Sequence, residues 1–184
     1  MIKQRWKNES KDSGACNHDG YNDINYSLDR QYPMSPQQFL DIVKTANNLK
    51  INTRHCYTAP HRKESVADHC WRMTLMAMLL REEEEFSGLD FEKVMRMCLI
   101  HDLGEAFTGD IPAFLKSESD ESEEEDIFVN WVNTFCEPQK DEWLGLLREM
   151  SELKTREARL YKALDKLEAV ISHDESDIST WLPL

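Results

Sequence analysis

From Ser35 onward the apolar residues of this chain recur three and four positions apart, and nowhere do they alternate over a useful length. The first period is that of an α-helix with one buried face; a half-buried strand needs a period of two. Ser35, Pro36 and Gln38 read as an N-cap, a first helical residue and the second half of a capping box, followed by Phe39, Ile42, Val43, Ala46 and Leu49. Residues 52–63 have mixed polarity and read as a break. A second helix is expected over 66–85. Its centre, Met73 to Leu80, is apolar nearly all round, which predicts a buried central helix with Met73, Met76 and Met78 as core filling. A turn at Gly88 and Asp90 precedes a third helix, expected over 91–107 on Val94, Met95, Cys98, Leu99 and Leu103. A loop follows at Gly109 and Pro112. The acidic run Glu118–Asp126, seven carboxylates in nine residues, then leads into Ile127, Phe128, Trp131, Val132 and Phe135. Further helices are expected from Pro138 and over 155–172. With no internal repeat, the expectation is an all-α fold, a bundle of about six main helices.

The chain has 184 residues, enough for one domain with a real core. Residues 1–34 are polar, with apolar residues too scattered for a period; they read as a flexible N-terminal extension, leaving 35–184 as the folded domain. Cys16, His18 and Asp19 lie in that extension, where nothing local would hold a metal site rigid. Lys and Arg number 22 against 35 Asp and Glu, a net charge of −13. That sign argues against a nucleic-acid polymer or an anionic membrane as partner. The five cysteines form no CxxC pair and read as small buried thiols of a reducing compartment. The start of the chain shows no signal-like apolar run, and no stretch is apolar enough to span a membrane, so the expected location is cytoplasmic.

The chemistry lies in His and Asp residues on separate helices. His101 and Asp102 follow the apolar stretch Met97–Ile100, and adjacent helical residues point about 100° apart. They converge on one ion only if it lies at the edge between them; alone, the pair reads as a hydrogen-bonded core pair. Glu105 shares their face, four and three positions on, and Asp110 follows beyond Gly109. Burying three carboxylates without cations is costly, so a divalent ion is the economical explanation. His69, at the start of the central helix, and Asp165, within the last helix, are further candidates. For Asp165 an ion pair with Lys162 or Lys166 is the alternative. Two imidazoles and two carboxylates suit Mn²⁺, Fe²⁺, Co²⁺, Ni²⁺ or Zn²⁺, with Mg²⁺ also admissible.

The order H…HD…D resembles the HD-domain superfamily of metal-dependent phosphohydrolases. Five blocks narrow the likeness to its 5′-deoxynucleotidase-like branch: ESVADH at 64–69, WRM at 71–73, IHDLGE at 100–105, TGDIP at 108–112 and KALDKLE at 162–168. The resemblance covers residues 36–175 and implies a helical HD bundle. It implies His69, His101, Asp102 and Asp165 as metal ligands, and Glu105 and Asp110 as the acidic catalytic pair, or as holders of further ions. Arg54 matches a phosphate-contacting Arg, and Lys116 stands where relatives often have a Lys. A Trp usually stands beside or shortly after that Arg; here the residues are His55, Cys56 and Tyr57, a departure that leaves stacking and base preference open, with Tyr57 a candidate substrate-binding residue beside Arg54 and Lys116. The implied reaction is hydrolysis of deoxynucleoside 5′-monophosphates, a small-molecule nucleotide substrate, by a protein that is often a homodimer. The alternatives are an HD-type phosphodiesterase, a (p)ppGpp-type hydrolase, or a metal-stabilised nucleotide-binding module without catalysis. A binuclear phosphodiesterase needs further histidines, and none of His18, His55, His61 and His173 falls where a second ion would require one. Of the 35 acids, eleven fall in Glu82–Glu85 and Glu118–Asp126, so the negative charge is expected mainly away from the site.

Overall fold

The computed structural model describes residues 34–112 and 115–178, apart from the side chains of residues 118 and 121. The N-terminal extension with Cys16, His18 and Asp19, and the last residues from 179, lie outside the described residues. Helix α1 spans Pro36–Ala46, and the Ser35 hydroxyl accepts from the Gln38 amide at 3.1 Å. The second half of the expected capping box does not form. The Gln38 side chain instead donates to the Thr134 carbonyl at 2.9 Å.

The expected break at 52–63 contains an antiparallel hairpin of β1, Thr53–Ala59, and β2, Arg62–Ser65. Its register is irregular, and His61 takes a left-handed φ of 65° at the turn. The hairpin is short, and of its residues Cys56, Glu64 and Ser65 are buried. A strand that buries so little leaves no clean alternation to read.

Ser65 ends β2 and caps α2, Val66–Leu80, in a full capping box with Asp68. This helix buries one stripe, Val66, His69, Cys70, Met73 and Ala77. The all-round burial expected of its centre does not occur: Met78 is 56 % exposed, Leu79 69 % and Trp71 65 %. Helix α3, Phe91–Ile100, is capped by Asp90 and ends four residues before a short α4, Glu105–Thr108. The single helix expected over 91–107 is therefore broken. Between its parts the backbone tightens to i→i−3 bonds, Leu103 to Ile100 and Glu105 to Asp102, each at 3.0 Å. Gly104 leaves room here for Glu124, since a Cβ there would meet that side chain at 2.9 Å.

Glu124 belongs to α5, Glu118–Val132, whose first half is the acidic run itself, capped by Ser117 and Asp120. Helices α6, Gln139–Glu152, and α7, Arg156–Glu175, complete the bundle. The interior forms where α2, α3 and α7 pack together, around Met73, Met97 and Leu164. Each of these is essentially removed from water, a contribution of about 1.5–3 kcal/mol apiece. The fold is all-α with one small hairpin, and the junction of those three helices holds the chemistry.

Candidate active site

His69 sits one turn into α2 and is fully buried. Its Nδ1–H donates to the buried Glu168 carboxylate on α7. His101 caps the end of α3, and its Nδ1–H donates to the Cys98 carbonyl at 3.0 Å. Both rings are thereby held with the proton on Nδ1 and the lone pair on Nε2. Both Nε2 atoms are buried and make no hydrogen bond. They point at the same place as two carboxylate oxygens. Asp102 Oδ2 lies 3.1 Å from His101 Nε2 and 3.8 Å from His69 Nε2. Asp165 Oδ1 lies 3.3 Å from His69 Nε2 and 3.8 Å from His101 Nε2. The other oxygen of Asp165 takes the Lys162 ammonium at 2.7 Å, so the expected alternative of an ion pair coexists with the cluster.

The electrostatics show what this group lacks. Burial opposes a proton on His101, but Asp102 and Asp165 outweigh it and hold the imidazolium well above its ordinary value. Asp102, despite its burial, is brought down to about 2 by His101 and His69. Two converging carboxylates thus demand positive charge. Two bare imidazole nitrogens and two carboxylate oxygens fit a divalent cation.

Acids and an arginine surround the cluster. Arg54 reaches inward from β1, its Nη1 4.0 Å from Asp102 Oδ2 and its Nε 3.1 Å from the buried Glu64. Glu105 is buried with one carboxyl oxygen unbonded. Burial, then Asp102, Asp110 and Glu124, push its carboxyl up to about 10, so it is a neutral acid at pH 7. Asp110 is also raised, by burial and Asp102 against the pull of Arg54. Asn52 and Asn48 hold α4 in place by donating to the Glu105 and Ala106 carbonyls. A cleft of about 370 Å³ opens beside the cluster, lined by His101, Asp102, Lys116, Glu124, Tyr161 and Lys162 among others.

The HD domain family profile matches residues 46–184. This chain belongs to the HD-domain family. A relative, the 5′-deoxynucleotidase HDDC2 of Dictyostelium discoideum, is 34 % identical over 144 residues, covering 72 % of this chain and 74 % of the relative. The human 5′-deoxynucleotidase HDDC2 is 30 % identical, covering 75 % and 66 %. Among solved structures, a predicted metal-dependent phosphohydrolase of Magnetospirillum magnetotacticum MS-1 superposes with a TM-score of 0.64 at 27 % identity, covering 73 % of this chain and 68 % of that one. The HD protein described here falls in the branch of the 5′-deoxynucleotidases.

The sequence-based candidates of this HD protein are placed unequally. His69, His101, Asp102 and Asp165 come together, with Arg54, Glu105 and Asp110 around them. Lys116 lines the cleft but bonds Glu124 at 2.7 Å. The acidic run is therefore not remote from the site. Tyr57 is fixed through its backbone, which bonds the Ser176 hydroxyl in both directions; like Arg54, Glu105 and Asp110, it is not among the residues that line this cleft. Glu168, Arg72 and Ser172 were not singled out by the sequence. Arg72 Nε donates to Glu168 at 2.7 Å, and Ser172 bridges Glu168 and Glu64 at 3.0 Å each. One buried network therefore orients both His69 and Arg54. Its signal was present: Glu168 stands on the buried face of α7 next to Leu164, where a carboxylate must find partners.

Proposed function

We propose that this protein hydrolyses deoxynucleoside 5′-monophosphates to deoxynucleoside and phosphate, using one divalent transition-metal ion held by His69, His101, Asp102 and Asp165. The observation that carries this reading is the pair of buried, hydrogen-bond-free Nε2 atoms converging with two carboxylates beside an inward-facing arginine and a neutral buried acid. The relatives named 5′-deoxynucleotidase supply the substrate class. The ion is one of Mn²⁺, Co²⁺, Fe²⁺, Ni²⁺ or Zn²⁺, by the mixed nitrogen and oxygen donors. When bound, such an ion offers Lewis acidity, which makes water more acidic and neutralises phosphoryl charge.

The chain's own residues do the rest. Arg54, braced through Nε by Glu64, takes the phosphate through its Nη groups, which face the cluster near Asp102. Glu105 gives its proton to the 5′-oxygen as the P–O bond breaks, because a sugar alkoxide is a poor leaving group. Asp110 accepts a proton from the water that forms the new bond to phosphorus. Lys116 and Lys162 line the cleft against the nucleotide. Its volume of about 370 Å³ suits a mononucleotide. His61 stands at the hairpin turn and His55 is paired with His173, so neither adds a second ion to the cluster.

The same reading places the protein in the cytoplasm, acting on free nucleotides. The thiols Cys56, Cys70 and Cys98 support it, being buried and in no disulfide; no helix among the described residues is long and apolar enough to cross a membrane. It also makes the protein a homodimer, joined through the bare apolar face of α2 around Trp71, Leu75 and Met78. Phosphate release from dAMP, dCMP, dGMP and dTMP with Mn²⁺ or Co²⁺ tests the activity. No release from any nucleotide in any of these metals would sink it.

A further inference from the structure

A second group of metal-binding side chains lies outside the catalytic cluster. His55 on β1 and His173 near the end of α7 face each other, Nε2 to Nε2, at 2.5 Å, with ring centroids 4.7 Å apart. Cys56 Sγ is buried 3.7 Å from His55 Nε2. The three donor atoms lie within 4.8 Å of one another. We infer that His55, Cys56 and His173 form a second metal site, separate from the catalytic one, that takes Zn²⁺.

Donor chemistry distinguishes the two sites. The catalytic cluster offers two nitrogens and two carboxylate oxygens, whereas this one offers two nitrogens and a sulfur, the borderline-soft set that zinc prefers. Burial, His173, Arg54 and Lys63 all disfavour a proton on His55, which keeps its ring neutral and able to ligate. A tetrahedral ion about 2.0–2.1 Å from each nitrogen needs the two Nε2 atoms roughly 3.3 Å apart. The rings must therefore separate by just under an ångström from their present contact. Both are only half-buried, and His173 stands in the last turn of its helix, so side-chain rotation can supply this.

Burial pushes the Cys56 thiol up to about 11, so the ion itself must displace the proton: on binding, the Cys56 S–H bond breaks, its proton passes to solvent, and an S–Zn bond forms. The imidazole that carries its proton on Nε2 moves it to Nδ1. One proton is released per ion, and water fills the remaining position. Such an ion would tie the hairpin to α7, joining residues 118 positions apart in the chain. It would also sit on the residue next to Arg54. A plain imidazole–imidazole hydrogen bond is the competing account, and it gives the neighbouring thiol no role.

The test is metal titration of the full-length, chelator-stripped protein with Zn²⁺ and Co²⁺. The expected result is uptake of a second equivalent, with a near-ultraviolet sulfur-to-cobalt charge-transfer band in the Co²⁺ form. Cys56→Ser should abolish the band, and His173→Gln should lower the stoichiometry by one equivalent, while both keep the first. Cys70→Ser should retain the band, since Cys70 Sγ lies 4.0 Å from His101 Nδ1, the nitrogen facing away from the catalytic cluster. Uptake of one equivalent only overturns the proposal, as does a second equivalent that survives both substitutions unchanged. Should the buried Cys56→Ser variant lose its fold by circular dichroism, His173→Gln decides alone. None of these readouts depends on nucleotide turnover.

Discussion

Glu168→Gln isolates the role of the network behind the metal cluster. Glu168 is fully buried and accepts from three donors: His69 Nδ1, Arg72 Nε and Ser172 Oγ. An amide of the same shape has one oxygen for them. If that oxygen stays with Arg72 and Ser172, the NH₂ group faces His69 Nδ1, which must then accept. The His69 proton moves to Nε2, the atom that points at Asp165 from 3.3 Å, and the lone pair needed for a cation is lost. If the amide turns round, Arg72 meets two N–H donors instead. Either way a hydrogen bond to a charged group is lost, worth about 1.5–3 kcal/mol. Partners behind metal-ligating histidines typically change affinity by about 10–100-fold, or roughly 1.4–2.8 kcal/mol, and the two ranges agree. The assay is the Mn²⁺ concentration giving half-maximal dNMP hydrolysis, with direct calorimetric titration beside it. That concentration should rise by about 10–100-fold, while kcat at saturating metal recovers to within a few-fold of wild type. Unchanged metal affinity would refute the tautomer argument. A kcat that stays collapsed at saturating metal would instead give Glu168 a direct part in the reaction.

Glu105→Gln should lower kcat by about 10²–10⁴-fold with metal content unchanged, measured by turnover and elemental analysis on the same sample. In the chelated protein the raised Glu105 carboxyl has a linked effect on stability. A group whose folded pKa exceeds its unfolded value favours folding most below the unfolded value, and that stabilisation is lost as pH rises from the ordinary carboxyl range towards about 10. The fall in stability between pH 6 and 9, read by urea melts, should therefore be shallower in Glu105→Gln than in wild type. Arg54→Lys keeps the charge but loses the two-pronged contact. It should cost about 10–100-fold in kcat/KM, mainly as a rise in KM; an unchanged KM would remove Arg54 from phosphate binding. Trp71→Glu places a charge on the bare face of α2 and should convert a dimer to a monomer in light scattering; a wild-type protein already monomeric at high concentration would dispose of that interface.

Most of the helices were legible because their caps and their buried stripes are local features. Thr155 capping α7 and Asp90 capping α3 are written in adjacent residues. What was not legible depends on distant chain. The helix expected over 91–107 is interrupted after Ile100, beside the point where α5 passes close to Gly104, and nothing near Gly104 in sequence announces Glu124. The apolar centre of α2 gives no indication that Leu75, Met78 and Leu79 remain exposed. The hairpin was hidden because β1 buries Cys56 alone among its residues. Within the site, the residue types and their order indicated the four cluster residues. The direction of each imidazole was not readable, since it is set by Glu168 for His69 and by a backbone carbonyl for His101.

The charge balance at the site explains why an acidic protein can be built around an anionic substrate. Every cation near the cluster already has an acid: Arg54 has Glu64, Arg72 has Glu168, Lys116 has Glu124, and Lys162 has Asp165. Asp102 and Asp110 remain without a matching side-chain cation, and burial keeps Glu105 protonated and neutral. In the ion-free chain that deficit of two positive charges raises both His69 and His101 above their ordinary values, and a divalent ion displacing their protons would supply the same two charges. The lysines and arginines of the site are therefore not a free basic patch awaiting phosphate. They are positioned by carboxylates, and the positive potential that draws in a nucleotide must come from the ion. The Lys116–Glu124 pair fits this account better than an acidic surface kept at a distance, because it places a lysine at the cleft wall with no net charge of its own to attract other polyanions.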